Sequence, residues 1–373
     1  MNTVELPFDA DEMLAGLRPW VECESPTFDK AAVNQMMDLA SRDLAMMGAT
    51  VDRIPGRMGL GDVVRARFAH PKADQPGILI AGHLDTVHPV GTLEKLPFRR
   101  EGDLCYGPGI CDMKGGNYLA LEAIRQLARA GAETPLPITV LFTPDEEIGT
   151  PSQRDLIEAE ASRARAVLVP EPGRPGGGVT SGRYAIARFN IRTIGTPSHS
   201  GAKLSEGRSA IAEMARRVLD IEAMTGPDCT FSCGVFHAGQ WVNCVSSEAE
   251  AEVLTMAKRQ EDLDAGVQRM LAMAEPGVFE VTRGVTRPVW EPDAGCLELV
   301  TLAERLHSEV GLPFRHESSG GGSDGNFTGA MGIPTLDGLG SDGDKFHTLE
   351  EHIVVDSLAS RGKVFAGMLM GIK

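Results

Sequence analysis

A chain of 373 residues exceeds what one compact core ordinarily encloses, so two domains are expected, and 42% hydrophobic residues allow a large buried core. A formal charge of −16, from 36 Lys+Arg against 52 Asp+Glu, argues against nucleic acid or an anionic membrane as partner and favours a small-molecule substrate. The acidic start "MNTVELPFDADEML" has no signal-like segment, no run of 18 apolar residues occurs, and 7 scattered cysteines make no disulfide framework, so a cytoplasmic chain is expected.

In chain order, the first strong element is the apolar run "GILIAG" (77–82), which stops at "HLDTVHPVG". "PITVLFTP" before "DEEIG" and "RAVLVP" before "EPG" follow the same pattern, that of buried strands in a largely parallel sheet. Between the first two runs, "KGGNYLALEAIRQLARAG" repeats Ala120, Ala123, Ile124, Leu127 and Ala128 at helical spacing and stops at Gly131. This strand-helix-strand rhythm predicts an α/β fold.

Past residue 180 the pattern changes. "ARFNIRTIG" and "SEAEAEVLTMA" alternate apolar and polar residues, as half-exposed antiparallel strands do, and each precedes an amphipathic helix, "SAIAEMARRVLDIEAM" or "EDLDAGVQRMLAMAE". "TRGVTRPVWEPDAG" then supplies turn and breaker residues. The reading is an inserted α+β domain over 183–290, dividing a first domain into 1–182 and 291–373.

Residues able to do chemistry collect where the strands end. His83 and Asp85 leave a strand end on the same face, either as a polar terminus or as a metal-binding imidazole with a carboxylate holding its second nitrogen. Asp112 lies in a glycine-flanked turn before the helix. Glu146 and Glu147 stand side by side, in a solvated loop or beside something positive. Glu171 follows the next strand end, and His347 lies near the C-terminus in "GDKFHTLEEH". His88, His307, His316 and His352 read as structural, and Cys229 and Cys233 lack the partners of a zinc site. Ligands of open α/β sheets gather at the carboxyl ends of strands, where these clusters fall.

Taken in order, "GHLDTVHPVG", "YGPGICDMKGG", "PDEEIGT", "EPG", "SHSG" and "GGGSDGNF" followed by "FHT" resemble the di-zinc family of carboxypeptidase G, succinyl-diaminopimelate desuccinylase and the aminoacylases. The resemblance implies a zinc-peptidase-like catalytic domain with a mostly parallel mixed sheet and an inserted dimerisation (lid) domain. It implies two Zn²⁺ per chain, with Co²⁺ or Mn²⁺ able to substitute. His83 and Glu171 would hold one metal, Glu147 and His347 the other, and Asp112 would bridge them. Such a bridge needs two oxygens, which a carboxylate offers and a neutral imidazole does not.

By the same resemblance Asp85 orients His83 and Glu146 is the general base. His199 of "SHSG" reaches the active site of the partner subunit in a homodimer, Asn243 of "WVNCVSS" matches a nearby substrate-binding asparagine, and Gly321 and Gly322 lie along the substrate. The implied activity is hydrolysis of an amide or peptide with release of an amino-acid-like product, of glutamate-carboxypeptidase type. A deacylase of N-acyl-amino acids or a dipeptidase is the alternative. Met256 departs from the family, whose carboxypeptidases carry there an arginine for the substrate carboxylate; Arg183, Arg208, Lys258 and Arg259 are the candidate replacements. Met113 also stands where many relatives carry a second, non-ligating Asp. A non-catalytic metal-stabilised binding protein is disfavoured, because Glu146 is present beside all the ligand candidates.

Overall fold

The computed structural model describes residues 2–174 and 177–373. The chain forms two compact units: Met1–Gly182, Trp290–Ser319 and Ser323–Lys373 make the first, and Arg183–Val289 with Gly320–Gly322 the second.

The first unit opens with helices α1 (Ala10–Glu22) and α2 (Lys30–Met46), then strands β1 (Thr50–Ile54), β2 (Val63–Arg67) and β3 (Gly77–His83). A hairpin of β4 (Arg99–Glu101) and β5 (Leu104–Tyr106) precedes α3 (Gly115–Arg129), β6 (Ile138–Thr143), α4 (Arg154–Ala161), β7 (Ala164–Leu168) and β8 (Val179–Arg183). The second unit holds β9 (Ala185–Ile194), α5 (Ala210–Glu222), β10 (Cys229–Ala238), β11 (Glu248–Ala257), α6 (Gln260–Ala272) and β12 (Phe279–Arg287). The chain returns with α7 (Ala294–Glu309), β13 (His316–Ser319), α8 (Gly325–Ala330), β14 (Thr335–Leu336), β15 (Gly343–Asp344), β16 (His352–Val354) and α9 (Val355–Gly371).

The main sheet runs β1-β2-β6-β3-β7-β14, antiparallel at β1, β2 and β6 and parallel from β6 to β14. Alternation along β3 explains its apolar run. Ile78 and Ile80 join a core with α1, α2, α3, α7 and α9, whereas Leu79 and Ala81 join another with Ile157 of α4 and Phe327 of α8. With both faces covered, every position from Ile78 to Ala81 is apolar. Smaller sheets pair β8 with β13 and order β15-β16-β5-β4.

In the second unit the antiparallel sheet β10-β11-β9-β12 buries Phe189, Ile191, Ala251 and Val253 against Met214 of α5 and Leu263 of α6. Its other face is charged: Arg192 on β9 meets Glu248 on β11 and, at 3.4 Å, Glu280 on β12. Two strands here correct the sequence reading. The segment 282–287, expected as turn, belongs to β12, and β10 was not expected. Each carries a register shift beside a glycine, between Cys233 and Val235 in β10 and between Arg283 and Thr286 in β12. Gly234 and Gly284 therefore mark bulges within strands, which sequence punctuation alone renders as breaks. Among the described residues no helix is long and apolar enough to cross a membrane.

One close approach sets where α3 lies. A Cβ added to Gly116 would sit 1.8 Å from the carbonyl oxygen of Pro170 and 3.0 Å from Cα of Gly340. Both neighbours are backbone and cannot swing aside. We expect Gly116→Ala to cost about 1–3 kcal/mol as an overpacked site does. A melting temperature equal to that of the wild type would contradict the contact.

Candidate metal centre

Strands β6, β3 and β7 are adjacent and parallel, so their carboxyl ends converge within about 10 Å. His83 is the last residue of β3. Glu146 and Glu147 open the single 3-10 turn Glu146–Ile148 that follows β6, and Glu171 lies just past β7. Asp112 comes from the loop between β5 and α3, joined to Met113 by a cis peptide bond, and His347 from the connection between β15 and β16.

Asp112 is the centre of the group. Its Oδ1 lies 3.2 Å from Nε2 of His83 and its Oδ2 lies 3.2 Å from Nε2 of His347. One carboxylate therefore faces two imidazoles, one with each oxygen. His83 Nε2 also lies 3.7 Å from Glu171 and 4.0 Å from Glu146, and His347 Nε2 lies 3.2 Å from Glu147. Behind His83, Nδ1 is 3.0 Å from the carbonyl oxygen of Asp85 and 3.4 Å from its Oδ1. Asp85 also receives the backbone N–H of Glu146 (3.2 Å) on Oδ1, and that of Glu147 (3.3 Å) and the hydroxyl of Thr27 (2.7 Å) on Oδ2. It thus ties the histidine to the diglutamate turn. His347 has φ 66°, a conformation that non-glycine residues hold mainly where surroundings enforce it.

The protein alone sets five carboxylates against two imidazoles, and protonation follows. Burial opposes charge on His83, yet Asp112, Asp85 and Glu171 raise its pKa well above the usual imidazole value. Asp112 and Glu147 push His347 up to about 10. Burial, with Asp112 alongside, pushes Glu147 up to about 8 and Glu171 well above the carboxylate range. Burial disfavours the Asp112 anion, but His347 and His83 hold it well below that range.

The remaining predicted residues belong to the second unit. His199 is exposed, and its Nδ1 accepts the N–H groups of Gly201 and Ala202, both at 3.1 Å. The carbonyl of Asn243 accepts from Ser200 N at 3.0 Å, beside a bridge from His199 to Cys244. Gly321 and Gly322 offer their carbonyls to Arg183, at 2.9 and 3.2 Å. Of the other cations weighed against Met256, Arg208 donates to the carbonyls of Ile194 and Gly277, Arg259 pairs with Glu261 and Asp262, and Lys258 lies over the ring of Tyr184.

Sequence reasoning missed several buried polar groups of the first unit. Lys114 donates to the carbonyl of Cys23 at 2.8 Å, burial bringing its pKa down to about 8, and Asn117 donates to the carbonyl of His83 at 2.7 Å. Arg361 is buried among the carbonyls of Gly178, Gly338 and Gly340, with Asp342 at 3.3 Å. Glu351 accepts three backbone N–H groups of the Asp112 loop. The one available signal was a charged residue set among glycines or beside a candidate ligand.

Residues 79–371 match peptidase family M20/M25/M40. The chain belongs to that family. Carboxypeptidase G2 of Pseudomonas sp. (strain RS-16) is 31% identical over 371 residues, 95% of this chain and 88% of that protein. A succinyl-diaminopimelate desuccinylase of Sphingopyxis alaskensis is 26% identical, over 91% of this chain and 94% of its own. Among solved structures, an M20 family metallo-carboxypeptidase of Sulfolobus solfataricus shares the fold with a TM-score of 0.77 at 17% identity, over 96% of this chain and 99% of its own. By its membership of that family the chain is a metal-dependent hydrolase of amide bonds.

The residues present fit metal ions. In each of two groups, His83 with Asp112 and Glu147 and His83 with Glu146 and Glu171, the ligand atoms lie within 4.8 Å of one another. Imidazole nitrogen with carboxylate oxygen is a donor set that suits zinc. Because a ligating imidazole must be neutral and a ligating carboxylate ionised, metal binding must expel the protons that His347 and Glu147, raised to about 10 and about 8, hold near neutral pH. We therefore expect zinc binding at pH 7 to release protons and affinity to rise with pH. Calorimetric titration in two buffers of different ionisation heat measures this, and identical heats would rule it out.

Proposed function

We propose that the chain is a di-zinc amide hydrolase of glutamate-carboxypeptidase type, cleaving an amide to release an amino-acid-like product. The observation that carries this reading is the Asp112 carboxylate, with one oxygen toward His83 and the other toward His347. In the proposal His83 and Glu171 hold one metal, Glu147 and His347 the other, and Asp112 both. When bound, the metals polarise the scissile carbonyl and lower the pKa of the attacking water.

The chain's own groups do the rest. Asp85 orients His83 through Nδ1. Glu146, beside the ligands but outside the proposed set, takes the proton of the attacking water and delivers it to the departing amine nitrogen as the C–N bond breaks. His199 donates to the developing oxyanion, Asn243 binds the substrate nearby, and the Gly321–Gly322 backbone lies along the substrate. Met256 in the place of an arginine keeps a second reading open, hydrolysis of N-acyl amino acids or dipeptides. A panel of folyl-glutamate, N-acetyl amino acids and dipeptides separates the two readings. The second unit, residues 183–290 by the sequence reading, is proposed as a dimerisation and lid domain. Its edge strand β10 exposes Val235 and Phe236, with Trp241 (72% exposed) just beyond and Leu219 (69%) on α5. An unpaired apolar edge of this kind suits a second copy of the chain.

Glu146→Gln is expected to keep its metal content and lose about 10²–10⁴ in turnover, since the amide cannot take the proton. Loss of metal in this variant would make Glu146 a ligand instead; turnover within a few-fold of wild type would remove it from the chemistry.

Sharing of the site is tested by mixing inactive Glu146→Gln and His199→Ala chains and allowing exchange. In a mixed dimer, the site on the His199→Ala chain keeps Glu146 and borrows His199 from its partner, while the other site carries both defects. About half of randomly paired dimers are mixed, so roughly a quarter of wild-type activity should return. No recovery after verified exchange would place His199 in its own chain's site.

A further inference from the structure

Asp112 must aim its two oxygens in different directions from a short π-helical turn whose own dihedrals at that point are not helical. Within the turn Ile110–Lys114, Asp112 has φ −116° and ψ 96° and Met113 has φ −130° and ψ 31°, and Gly109 before it has φ 69°. This backbone closes wide i→i−5 bonds, Lys114 N to the carbonyl of Gly109 at 3.0 Å and Gly115 N to that of Ile110, and the N–H groups of Gly109, Cys111 and Asp112 take their acceptor from elsewhere. They find one side chain. Glu351, 1% exposed, accepts the N–H of Cys111 (2.8 Å) and of Asp112 (3.1 Å) on Oε1, and the N–H of Gly109 (3.1 Å) on Oε2. The second oxygen also receives Nε2 of His88 at 2.6 Å.

We propose that Glu351 is a positioning residue that sets the direction of the Asp112 carboxylate by clamping the backbone on which it rides. Four donors converge on its two oxygens, a number that an ionised carboxylate accepts and few other side chains can. The donors come from two places: His88 from the loop that follows His83 at the end of β3 and contains Asp85, and three N–H groups from the loop that bears Asp112. Glu351 itself lies four residues past His347, immediately before β16, and β16 pairs with β5, from which the Asp112 loop departs. Its backbone carbonyl also accepts from Gly107 N at 3.3 Å. One buried carboxylate thus fixes three metal-facing segments relative to one another. His88 acts at one remove, holding Glu351.

This inference rests on the metal-centre reading, and its test separates the two. Metal-free wild type, Glu351→Gln and the exposed-neighbour control Glu350→Gln are titrated with Co²⁺ by visible absorption, and each is melted without metal. Glutamine keeps the shape but places an NH₂ group against donors. Affinity should fall about 10–100-fold, as for other residues that hold a ligand in place, while Glu350→Gln matches wild type. The cobalt absorption bands should also shift, which loss of stability alone would not cause. Glu351→Gln with wild-type affinity and bands overturns the inference and leaves the metal centre standing. Wild type that binds no cobalt overturns both. If Glu351→Gln does not fold, His88→Phe decides by the same titration: a several-fold loss of affinity supports the clamp, and an unchanged affinity rejects it.

Discussion

The centre depends on keeping like charges together. Two carboxylates 4 Å apart repel by about 4 kcal/mol at an effective dielectric of about 20, and several acids are gathered here at the ends of β3, β6 and β7. How each is compensated sorts them. Asp85 and Glu351 accept backbone N–H groups on both oxygens, which stabilises their charge with fixed dipoles and ties loops together. Asp112, Glu147 and Glu171 instead face imidazoles. A proton on an imidazole answers that charge in the protein alone, and a divalent cation answers it better, since it can serve two carboxylates at once. Backbone N–H groups on both oxygens therefore mark the acids that hold the frame, even where an imidazole also meets them, as His83 meets Asp85 and His88 meets Glu351.

The sheet supplies the geometry that makes this crowding possible. Parallel neighbours bring three strand ends side by side, and helices on both faces leave the carboxyl ends as the place where polar side chains can emerge. The close approach of Gly116 to Pro170 and Gly340 then seats the start of α3 against the loop that bears Glu171, with Gly340 N donating to the carbonyl of Glu171 at 2.8 Å. Asp112 and Glu171 are brought together by backbone packing before their side chains interact.

What the sequence made legible was what is local. "GILIAG", "PITVLFTP" and "RAVLVP" announce strands by composition, and a histidine or acid just after each announces a polar end, so His83, Glu146, Glu147 and Glu171 could be named. Strands β10 and β12 were hidden because their glycines read as breaks when they are bulges. Glu351 was hidden for another reason. Within "HTLEEH" it looks like half of a solvated acidic pair, and only partners 239 to 263 residues away in the chain distinguish it from Glu350. A buried carboxylate whose partners are backbone N–H groups leaves no pattern in side-chain identity.

Local structure also narrows what a histidine can do. The Nδ1 of His199 is engaged as acceptor by two backbone N–H groups, those of Gly201 and Ala202. In the neutral ring the hydrogen then resides on Nε2. A histidine held this way has no lone pair to offer as a base at its outer nitrogen and presents a donor there instead. Stabilising a developing oxyanion needs such a donor, fixed in direction before the charge forms, because reorienting dipoles during the reaction would cost part of the gain. The turn "SHSGA" thus supports the oxyanion role proposed for His199 over the more familiar one of proton acceptor, and leaves Glu146 as the base in the proposed reaction.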